Sequence, residues 1–318
     1  MTRVSTPCRL HFGLKNAGDL PPDHWRFGGC GLMLADCRVT VAVEPAETWS
    51  GDGLAADRAV GFARAVLPNR PVRVRVDECP PEHVGLGVGT QLALATASAT
   101  LLAHGLPLPS IRDLAVRTGR GKRSGVGLYG FAAGGFVSDY GHRTADSHPE
   151  LDFREPVPAE WRVVLARPAV AARWHGESER GAFARLRAVG GAVSRHKELV
   201  RPVMAMQHDL RAADFHQFAA LIHGYNRAAG EPFAADQGGV YAGPEVTALV
   251  EWVHRLGFAG VGQSSWGPTV FALTADAELA DWLAGRLRRH DPTLAVDVSR
   301  PDNVGAVQDG LPVYQPTT

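Results

Sequence analysis

A glycine-rich loop at residues 85–89 is the stretch of this sequence that could bind a charged ligand most directly. Its glycines alternate with other residues, and apolar residues then recur at helical spacing as far as Gly105. A helix N-terminus offers unpaired N–H groups and the positive end of the helix dipole, and glycine lets the backbone approach a ligand closely. The loop therefore predicts a phosphate or diphosphate site, with a turn that only packs the helix on a sheet as the alternative. The predicted ligand-binding residues are Gly85, Leu86, Gly87, Val88, Gly89, Thr90 and Gln91.

A second glycine-rich region adds positive charge. Arg120, Lys122 and Arg123 lie close together in it and are followed by Ser124 and Gly125. Guanidinium and ammonium groups form charge-assisted hydrogen bonds with phosphate oxygens, which are stronger than hydrogen bonds between neutral groups. We expect all five residues to bind the same ligand as the first loop.

A third glycine turn, within residues 261–273, carries two hydroxyl groups. We expect Ser264 and Ser265 to face the anion, and Asn226, in the segment HGYN, to be a further binding residue. Trp266 could line an aromatic pocket or pack in the core. The three glycine-containing segments together predict a single site.

Two residues outside these segments could take part in chemistry. Arg26 precedes a glycine turn and could bind a carboxylate or a phosphate, with an ordinary surface arginine as the alternative. His83 lies just before the first loop and could bind the substrate or carry protons, with a structural histidine as the alternative. Four further residues are interpreted as part of a solvated loop, because their spacing matches no pair on one helix face: Asp139, His142, Asp146 and His148.

The composition is that of an ordinary globular protein. Hydrophobic residues make up 45% of the 318 residues and charged residues 21%. Lys+Arg and Asp+Glu balance at 33 each, which excludes a general positive field for nucleic acid or an anionic membrane. The four cysteines form no CxxC pair, and the N-terminus has no apolar signal segment. We therefore expect reduced thiols, a cytoplasmic location and no nucleic-acid or membrane partner.

The chain is long enough for two domains, and the proline-rich segment EPVPAE marks the boundary that we predict between them. Residues 1–157 are predicted as one domain and residues 158–318 as the other. In the second half, helices, turns and strands follow one another with connections of the length typical of antiparallel pairing, which predicts an α+β sandwich. The predicted strands are 3–14, two short ones within 28–49, 70–80, 161–168, one within 259–276 and 294–301, with a polar loop at 15–28. The predicted helices are 56–67, the one after the glycine loop, 110–120, 177–208, 211–229, 244–256 and 276–290.

Three separated segments resemble the motifs of the GHMP kinase superfamily. They are PCRLHFGL (7–14), GLGVGTQLALATA (85–97) and VGQSSWGPTVFAL (261–273), and they follow one another in the order of that family. The resemblance implies a two-domain fold with a ribosomal-S5-like N-terminal domain, which carries the phosphate loop, and a ferredoxin-like α+β C-terminal domain.

One segment departs from the kinase pattern. The kinases have the form SGxDxxxxxxGG, whose aspartate is the proposed base for the phosphoryl acceptor. This chain has SGVGLYGFAAGG at the same spacing, with Gly127 in the position of the aspartate. Because glycine has no side chain to accept a proton, that route to phosphoryl transfer is not available.

Within the superfamily, the segments STPCRLHFGL, EHVGLGVGTQLALA, GKRSGVGLYGFAAGGF and HGYN resemble the family of β-ribofuranosylaminobenzene 5′-phosphate synthases. The resemblance implies that phosphoribosyl diphosphate condenses with 4-aminobenzoate, or with 4-hydroxybenzoate, and that CO₂ and diphosphate are released. This is the first step of (tetrahydro)methanopterin biosynthesis. A homodimer is also implied.

The implied substrates predict a role for a metal ion. Magnesium would accompany the diphosphate, and Asp19 and Asp139 are its predicted ligands. The predicted catalytic residues are Arg26, His83 and Asp19. We expect the protein to position the two reactants and to stabilise the charge of the leaving group without a covalent intermediate.

Two other functions remain open at this point. The chain could be a GHMP-family kinase that uses ATP and takes its base from elsewhere, or a non-catalytic protein that binds a nucleotide or a sugar phosphate. Turnover of ATP with an alcohol would distinguish the first, and tight binding without turnover the second.

Overall fold

The structure is a computed structural model, and it describes residues 1–16, 25–144, 147–169 and 192–315. The strands are β1 (Thr2–Asn16), β2 (Phe27–Pro45), β3 (Ser50–Gly53), β4 (Val72–Glu78), β5 (Phe136–Gly141), β6 (Glu150–Glu155), β7 (Arg162–Arg167), β8 (Val261–Gln263), β9 (Val270–Thr274), β10 (Ala295–Ser299), β11 (Val307–Gln308) and β12 (Leu311–Pro312). The helices are α1 (Ala56–Val66), α2 (Val88–Ala103), α3 (Ile111–Thr118), α4 (Val126–Ala133), α5 (Ala192–Arg211), α6 (Phe215–Gly230), α7 (Ala234–Gln237), α8 (Pro244–Arg255) and α9 (Ala277–His290), with a 3₁₀ turn at Glu231–Phe233.

The larger sheet has eight strands, and its central pair is β1 and β2. Strands β11 and β12 extend it beyond β1, β4 and β3 extend it beyond β2, and β5 and β6 continue from β2. Strand β4 alternates buried and exposed residues, which confirms the strand predicted from its period of two. Helix α2 is buried on nearly all sides because it lies against β1, β2, α1, α3 and α4.

The sequence prediction of two short strands within residues 28–49 was wrong. The structure has one continuous strand there, β2, which pairs with β1 along most of its length. The pairing register shifts between Pro7 and Cys8, so that extra residues of β2 bulge out between Leu34 and Arg38. The bulge interrupts the hydrophobic alternation without ending the strand. Helix α4 and strands β3, β5, β6, β11 and β12 were not predicted.

The smaller sheet has four antiparallel strands in the order β10-β7-β9-β8. Helices α8 and α9 pack on it around their own apolar cluster, which includes Val250 and Leu283. The strand order is that of a ferredoxin-like unit. The predicted α+β class and the ferredoxin-like C-terminal arrangement are therefore confirmed. The predicted elements of this half are also confirmed to within a few residues at each end, namely the strands 161–168 and 294–301 and the helices 244–256 and 276–290.

Helices α5 and α6 pack together on the larger sheet, and α6 also contacts β8 of the smaller sheet. Both contact β1 of the larger sheet, and Phe218 of α6 packs edge-on against Phe136 of β5 at 5.6 Å. Asp214 caps α6, since its carboxylate accepts a hydrogen bond from Gln217 N at 3.1 Å. The predicted helices 177–208 and 211–229 are confirmed where they are described, from Ala192 onward, although α6 starts four residues later than predicted.

The change from the larger to the smaller sheet falls between β6 and β7, which is where the sequence predicts a boundary. Strands β11 and β12 then return to the larger sheet, since Val4 pairs with Gln308. The division into residues 1–157 and 158–318 stays a prediction. Among the described helices, none combines the length and the apolar character that a membrane span needs.

Candidate functional site

A cavity of about 380 Å³ lies where the three resembling segments meet. It is bounded by the middle of β1, the first turn of α2, the loop between α3 and α4, the end of α6 and the turn after β8. The residues whose side chains or backbone line it include Arg9, His11, Leu14, Thr90, Arg120, Lys122, Arg123, Ser124, Asn226, Phe233, Tyr241, Ser265 and Trp266. The sequence predicted one site from the first glycine loop, residues 120–125 and the turn within 261–273, and the fold brings these together with the segment 7–14.

The first and third segments are joined by hydrogen bonds at Ser264. Its hydroxyl accepts from His11 N at 3.0 Å and donates to the carbonyl of Gly85 at 2.8 Å. The neighbouring Ser265 N donates to His11 O at 2.9 Å. Gly85 must be glycine here, since its φ is +93° and a Cβ would overlap the carbonyl oxygen of Ser264. Ser264 is therefore a fully buried link between segments and not a lining residue.

One part of the cavity is strongly cationic. Arg9, Arg120, Lys122 and Arg123 all line it, and the described part of its lining contains no carboxylate. The Nη1 of Arg9 donates to Gly85 O at 2.8 Å, which holds the guanidinium against the glycine loop. Several cationic side chains that line one cavity are suited to an anion with several charges.

The first turn of α2 borders this cationic part through Thr90. Gly87 has a φ of +70° and caps the helix, and the N–H groups of Val88 and Gly89 donate to no acceptor within the described ranges. A Cβ on Gly89 would lie 3.3 Å from Nη2 of Arg58 and 4.0 Å from Nη1 of Arg120. The helix terminus and two guanidinium groups thus converge, as an anion site requires.

Arg58 of α1 is a cation that the sequence did not single out. It pairs with Glu82, and both Arg58 and Arg120 lie over the ring of Phe62, at 5.8 and 4.9 Å from its centroid. Burial lowers the pKa of Arg120, and the positive charge of Arg58 lowers it further. The electrostatic repulsion between the two guanidinium groups favours a bound anion between them.

Another part of the cavity is aromatic. Phe233 and Trp266 meet edge-on with ring centroids 4.4 Å apart, and Leu14 packs with them. Tyr241 also lines the cavity, and burial raises the pKa of its hydroxyl to about 12. That hydroxyl makes no hydrogen bond to any part of the chain that the structure describes. The sequence left open whether Trp266 lines a pocket, and the structure places it there.

A chain of hydrogen bonds runs from the cavity to a buried carboxylate. Nδ1 of His11 accepts from Gly13 N at 3.2 Å, so the proton of the neutral ring is on Nε2, which donates to Ser124 Oγ at 3.0 Å. The Ser124 hydroxyl donates in turn to Asp139 Oδ2 at 3.0 Å. Burial lowers the pKa of His11 well below its usual value, and the charge of Arg9 acts in the same direction. His11 and Arg9 were not predicted, although both lie in the quoted first segment.

The three predicted catalytic residues do not meet in this cavity. Arg26 pairs through its backbone with His142, and neither it nor His83 lines the cavity. The His83 side chain is 54% exposed, beside Glu82. Asp19 lies outside the described residues. The lining residues come instead from β1 and from the loop before α4.

Several predicted binding residues hold the backbone around the cavity and are not free to bind a ligand with their side chains. Gln91 is fully buried, accepts from Thr6 Oγ1 at 2.7 Å and donates to Gly127 O at 2.9 Å. Asn226 lines the cavity, but its amide group is occupied by the backbone of Phe12 and Gln263. The remaining predicted residues that do not line the cavity are Gly85, Leu86, Gly87, Val88 and Gly89, which form the loop, and Gly125, which precedes α4.

The interpretation of Asp139 and His142 as parts of a solvated loop was wrong. Asp139 lies in β5 with 0% exposure, and His142 is 5% exposed, with its ring stacked on Phe27 at 5.1 Å. Ser124 and Gly125, at the start of α4, lie against the Asp139 carboxylate, and Phe27 lies against the His142 ring. Asp146 lies outside the described residues.

Asp139 does not have the surroundings of a metal ligand. Its two carboxylate oxygens accept three hydrogen bonds, from Ser124 Oγ, Gly125 N and Gly141 N, at 2.9–3.0 Å. These donors take three of the roughly four lone-pair sites of the carboxylate, whereas magnesium needs a near-ideal octahedral set of oxygen ligands. No group of three His, Cys, Asp or Glu side chains within the described ranges could hold a metal. The four cysteines are free thiols, as expected.

Gly127 lies inside α4, at the side of α2. A Cβ there would be 3.4 Å from both Gln91 Nε2 and Thr90 Cγ2, which is ordinary contact. The position therefore faces the first turn of α2 and has room for a small side chain. No carboxylate from the described residues replaces the missing aspartate in the cavity lining.

Comparisons with known proteins agree with this geometry. A family model described as GHMP kinases N terminal domain matches residues 55–135, and one described as GHMP kinases C terminal matches residues 206–292. Among solved structures, homoserine kinase from Cytophaga hutchinsonii superposes with a TM-score of 0.68 at 16% identity, covering 96% of each chain. Mevalonate pyrophosphate decarboxylase from Streptococcus pyogenes also gives 0.68, at 14% identity, covering 96% of this chain and 98% of its own. At such identities the likeness shows the fold alone.

Two sequence relatives carry the same name. β-Ribofuranosylphenol 5′-phosphate synthase from Methanothermobacter thermautotrophicus is 27% identical over 305 residues, covering 85% of this chain and 88% of its own. The protein of that name from Archaeoglobus fulgidus is 30% identical over 291 residues, covering 86% of this chain and 88% of its own. The resemblance drawn from the motifs is thereby confirmed, and the chain belongs to the family of β-ribofuranosylphenol 5′-phosphate synthases on the GHMP kinase fold.

Proposed function

We propose that this chain condenses phosphoribosyl diphosphate with a para-substituted benzoate to form a C-riboside, as the first step of (tetrahydro)methanopterin biosynthesis. The observation that carries the proposal is the division of one cavity into a cationic part, at Arg9 and the N-terminus of α2, and an aromatic part at Phe233 and Trp266. A phosphorylated, diphosphate-bearing sugar fits the first part, and a benzene ring fits the second.

The reaction needs charge stabilisation more than proton transfer. The bond between the ribose C1 and the diphosphate oxygen breaks, and the diphosphate leaves with the electron pair. The ring carbon that bears the carboxylate attacks C1, and the bond to the carboxylate then breaks, releasing CO₂ and restoring the aromatic ring. Arg9, Arg120, Lys122 and Arg123 are placed to stabilise the negative charge of the leaving group.

No covalent intermediate is needed for this sequence of steps. Ser124 is a lining hydroxyl, but its oxygen accepts from His11 Nε2 and from Val126 N at 3.2 Å, which occupies both lone pairs. We expect mass spectrometry of the protein, quenched during turnover, to show no attached ribosyl phosphate. An adduct on Ser124 would contradict this mechanism.

The acceptor carries an amino or a hydroxyl group opposite its carboxylate. The names of the relatives contain phenol, which corresponds to 4-hydroxybenzoate, whereas the motif resemblance pointed first to 4-aminobenzoate. Either para group donates electrons to the ring carbon that attacks. Both acids therefore belong in the assay.

Magnesium is part of the proposal through the diphosphate and not through Asp139. Because that carboxylate is occupied by three donors, we derive no step from a protein-bound metal. If magnesium binds with the substrate, removing it with EDTA should weaken the calorimetric binding of phosphoribosyl diphosphate, and adding it back should restore the affinity.

The test of the proposed function is a CO₂-release assay. Purified protein is mixed with carboxyl-labelled 4-aminobenzoate or 4-hydroxybenzoate and with magnesium, with and without phosphoribosyl diphosphate. We expect labelled CO₂ only when phosphoribosyl diphosphate is present. ATP consumption with an alcohol would favour a kinase instead, and ligand binding without any turnover would favour a binding protein.

We also propose a homodimer in the cytoplasm. The four free cysteines support a reducing compartment, and the resemblance supports the dimer. Light scattering after size-exclusion chromatography should give twice the chain mass of 34.0 kDa.

A further inference from the structure

We propose that Asp139 is a positioning residue that holds the cationic loop, residues 119–124, in its ligand-binding arrangement through Ser124 and His11. The inference rests on the proposed function in one respect, which is that phosphoribosyl diphosphate is the anion bound by that loop. It assigns a role to a buried carboxylate that the reaction does not use directly.

The contact at Ser124 fixes the end of the loop. Ser124 follows Lys122 and Arg123 directly, and it is the only hydroxyl-bearing residue of this short segment. Its oxygen accepts hydrogen bonds from His11 Nε2 and Val126 N and donates one to Asp139 Oδ2. A hydroxyl with all three positions occupied can take only one orientation.

Asp139 determines the direction of the hydrogen bonds that run from His11 through Ser124. A carboxylate only accepts, so the Ser124 proton must point to it, and Ser124 must then accept from His11. The N–H of Gly13 meets the other ring nitrogen of His11 and selects the same tautomer. The absence of a side chain at Gly29 leaves room for the imidazole ring of His11. A Cβ at that position would lie 2.9 Å from Nε2 of the ring, which is too close.

His11 connects the loop to the rest of the site. Its backbone N–H donates to Ser264 Oγ and its carbonyl accepts from Ser265 N. Arg9, two residues earlier on the same face of β1, lies in the cavity with it. Asp139 therefore orders the loop cations relative to Arg9 and the third segment.

The role of Asp139 depends on its charge. Burial raises its pKa to about 6, with Lys15 and the hydrogen-bond donors acting in the opposite direction. A neutral carboxyl group accepts hydrogen bonds more weakly than a carboxylate, so protonation would weaken the contacts with Ser124, Gly125 N and Gly141 N. Binding of phosphoribosyl diphosphate should therefore weaken as the pH falls through about 6, beyond the change caused by titration of its phosphates. The other titratable groups that face this carboxylate or its chain are Lys15, His11, Cys30, Tyr129, Asp152 and Tyr225.

The main experiment is calorimetric titration of the full-length protein with phosphoribosyl diphosphate, using Asp139→Asn. The amide of asparagine must place an NH₂ where a carboxylate oxygen accepts, so we expect the Kd to rise about tenfold at pH 7.5. Asp297→Asn is the matched control, since that carboxylate is 58% exposed on β10, and its Kd should match the wild type. In turnover, KM for phosphoribosyl diphosphate should rise while kcat changes less than twofold.

Two further measurements separate positioning from general destabilisation. Ser124→Ala removes the middle of the chain, and combining it with Asp139→Asn should raise the Kd no further than either change alone. The Kd values of wild type and Asp139→Asn should also converge between pH 7.5 and pH 5.5, because the ligand titrates equally in both. The proposal would be overturned if the two substitutions raised the Kd additively, or if the Kd values of wild type and Asp139→Asn changed in parallel with pH.

Nitrogen-15 NMR of histidine-labelled protein gives a readout that does not depend on the substrate. In the wild type, His11 should show the Nε2–H tautomer, and Asp139→Asn should change its nitrogen shifts. If the wild type fails to bind phosphoribosyl diphosphate but the tautomer responds, the proposed substrate is wrong and the hydrogen-bond chain stands. Unchanged nitrogen shifts of His11 in Asp139→Asn would contradict the proposed chain of hydrogen bonds. Should Asp139→Asn not fold, Ser124→Ala and the wild-type spectrum across pH give the same two outcomes.

Discussion

At the scale of single residues, the positive charge of the cavity comes from side chains on two segments. Lys122 and Arg123 lie on the loop before α4, and both line the cavity. Replacing either with alanine should weaken the binding of phosphoribosyl diphosphate by about 1–3 kcal/mol, because a charge-assisted contact is lost. Calorimetry measures this directly, with the exposed Arg117→Ala on α3 as the control. Unchanged affinity in both variants would remove the loop from the site.

Three of the four lining cations, Arg120, Lys122 and Arg123, could be predicted from the sequence because they cluster in one glycine-rich region. Arg9 and His11 could have been found from their alternate positions on a strand whose middle borders the site. The burial of Asp139 could not, since it depends on Ser124 and Gly125, which are distant in sequence and pack against its carboxylate only in the folded chain. A hydrophilic sequence context around it had indicated the opposite.

At the scale of elements, the N-terminus of α2 depends on a glycine in the left-handed conformation. Gly87→Ala should lower the free energy of unfolding by about 1–2 kcal/mol, since alanine is strained at a φ of +70°. The new Cβ would lie 2.9 Å from Cγ of Arg9 and displace that side chain, so phosphoribosyl diphosphate should also bind more weakly. Denaturant unfolding and calorimetry measure the two effects.

The matched control is Gly61→Ala in α1. A Cβ there meets nothing within 4 Å, and alanine favours a helix interior, so this variant should gain about 0.5–1 kcal/mol and bind normally. If Gly87→Ala left binding intact while only lowering stability, the loop would be a packing turn and not an anion site.

The elements with regular periodicity were predicted well, as β4 and α8 show. Helix α4 was missed because Gly127 and Gly130 lower the helix propensity of its sequence. Burial supplies what propensity lacks there, since Leu128 and Phe131 are fully buried. Tertiary packing therefore decided an element that local sequence disfavours.

At the scale of the whole molecule, Asn226 of α6 joins the two sheets. Its amide donates to Phe12 O on β1 at 2.7 Å and to Gln263 O on β8 at 2.9 Å, and its oxygen accepts from Gln263 N. Asn226→Ala would leave these buried backbone groups unpaired, which should lower the free energy of unfolding by about 2–4 kcal/mol. Urea denaturation measures the change, and the exposed Asn69→Ala should leave stability within about 0.5 kcal/mol. A loss no larger than that of the control would show that the sheets are held by packing alone.

By itself, the sequence determined the fold family, the order of the three segments and the loss of the kinase base at Gly127. These follow from local chemistry, since glycine spacing, helix periodicity and the absence of a side chain are properties of neighbouring residues. Only the tertiary structure decided that Asp139 is buried and hydrogen-bonded, that Asn226 joins the sheets and that Arg26 and His83 lie outside the cavity. The physical reason is that burial and hydrogen-bond partners come from strands and helices far apart in the chain, so no local pattern records them.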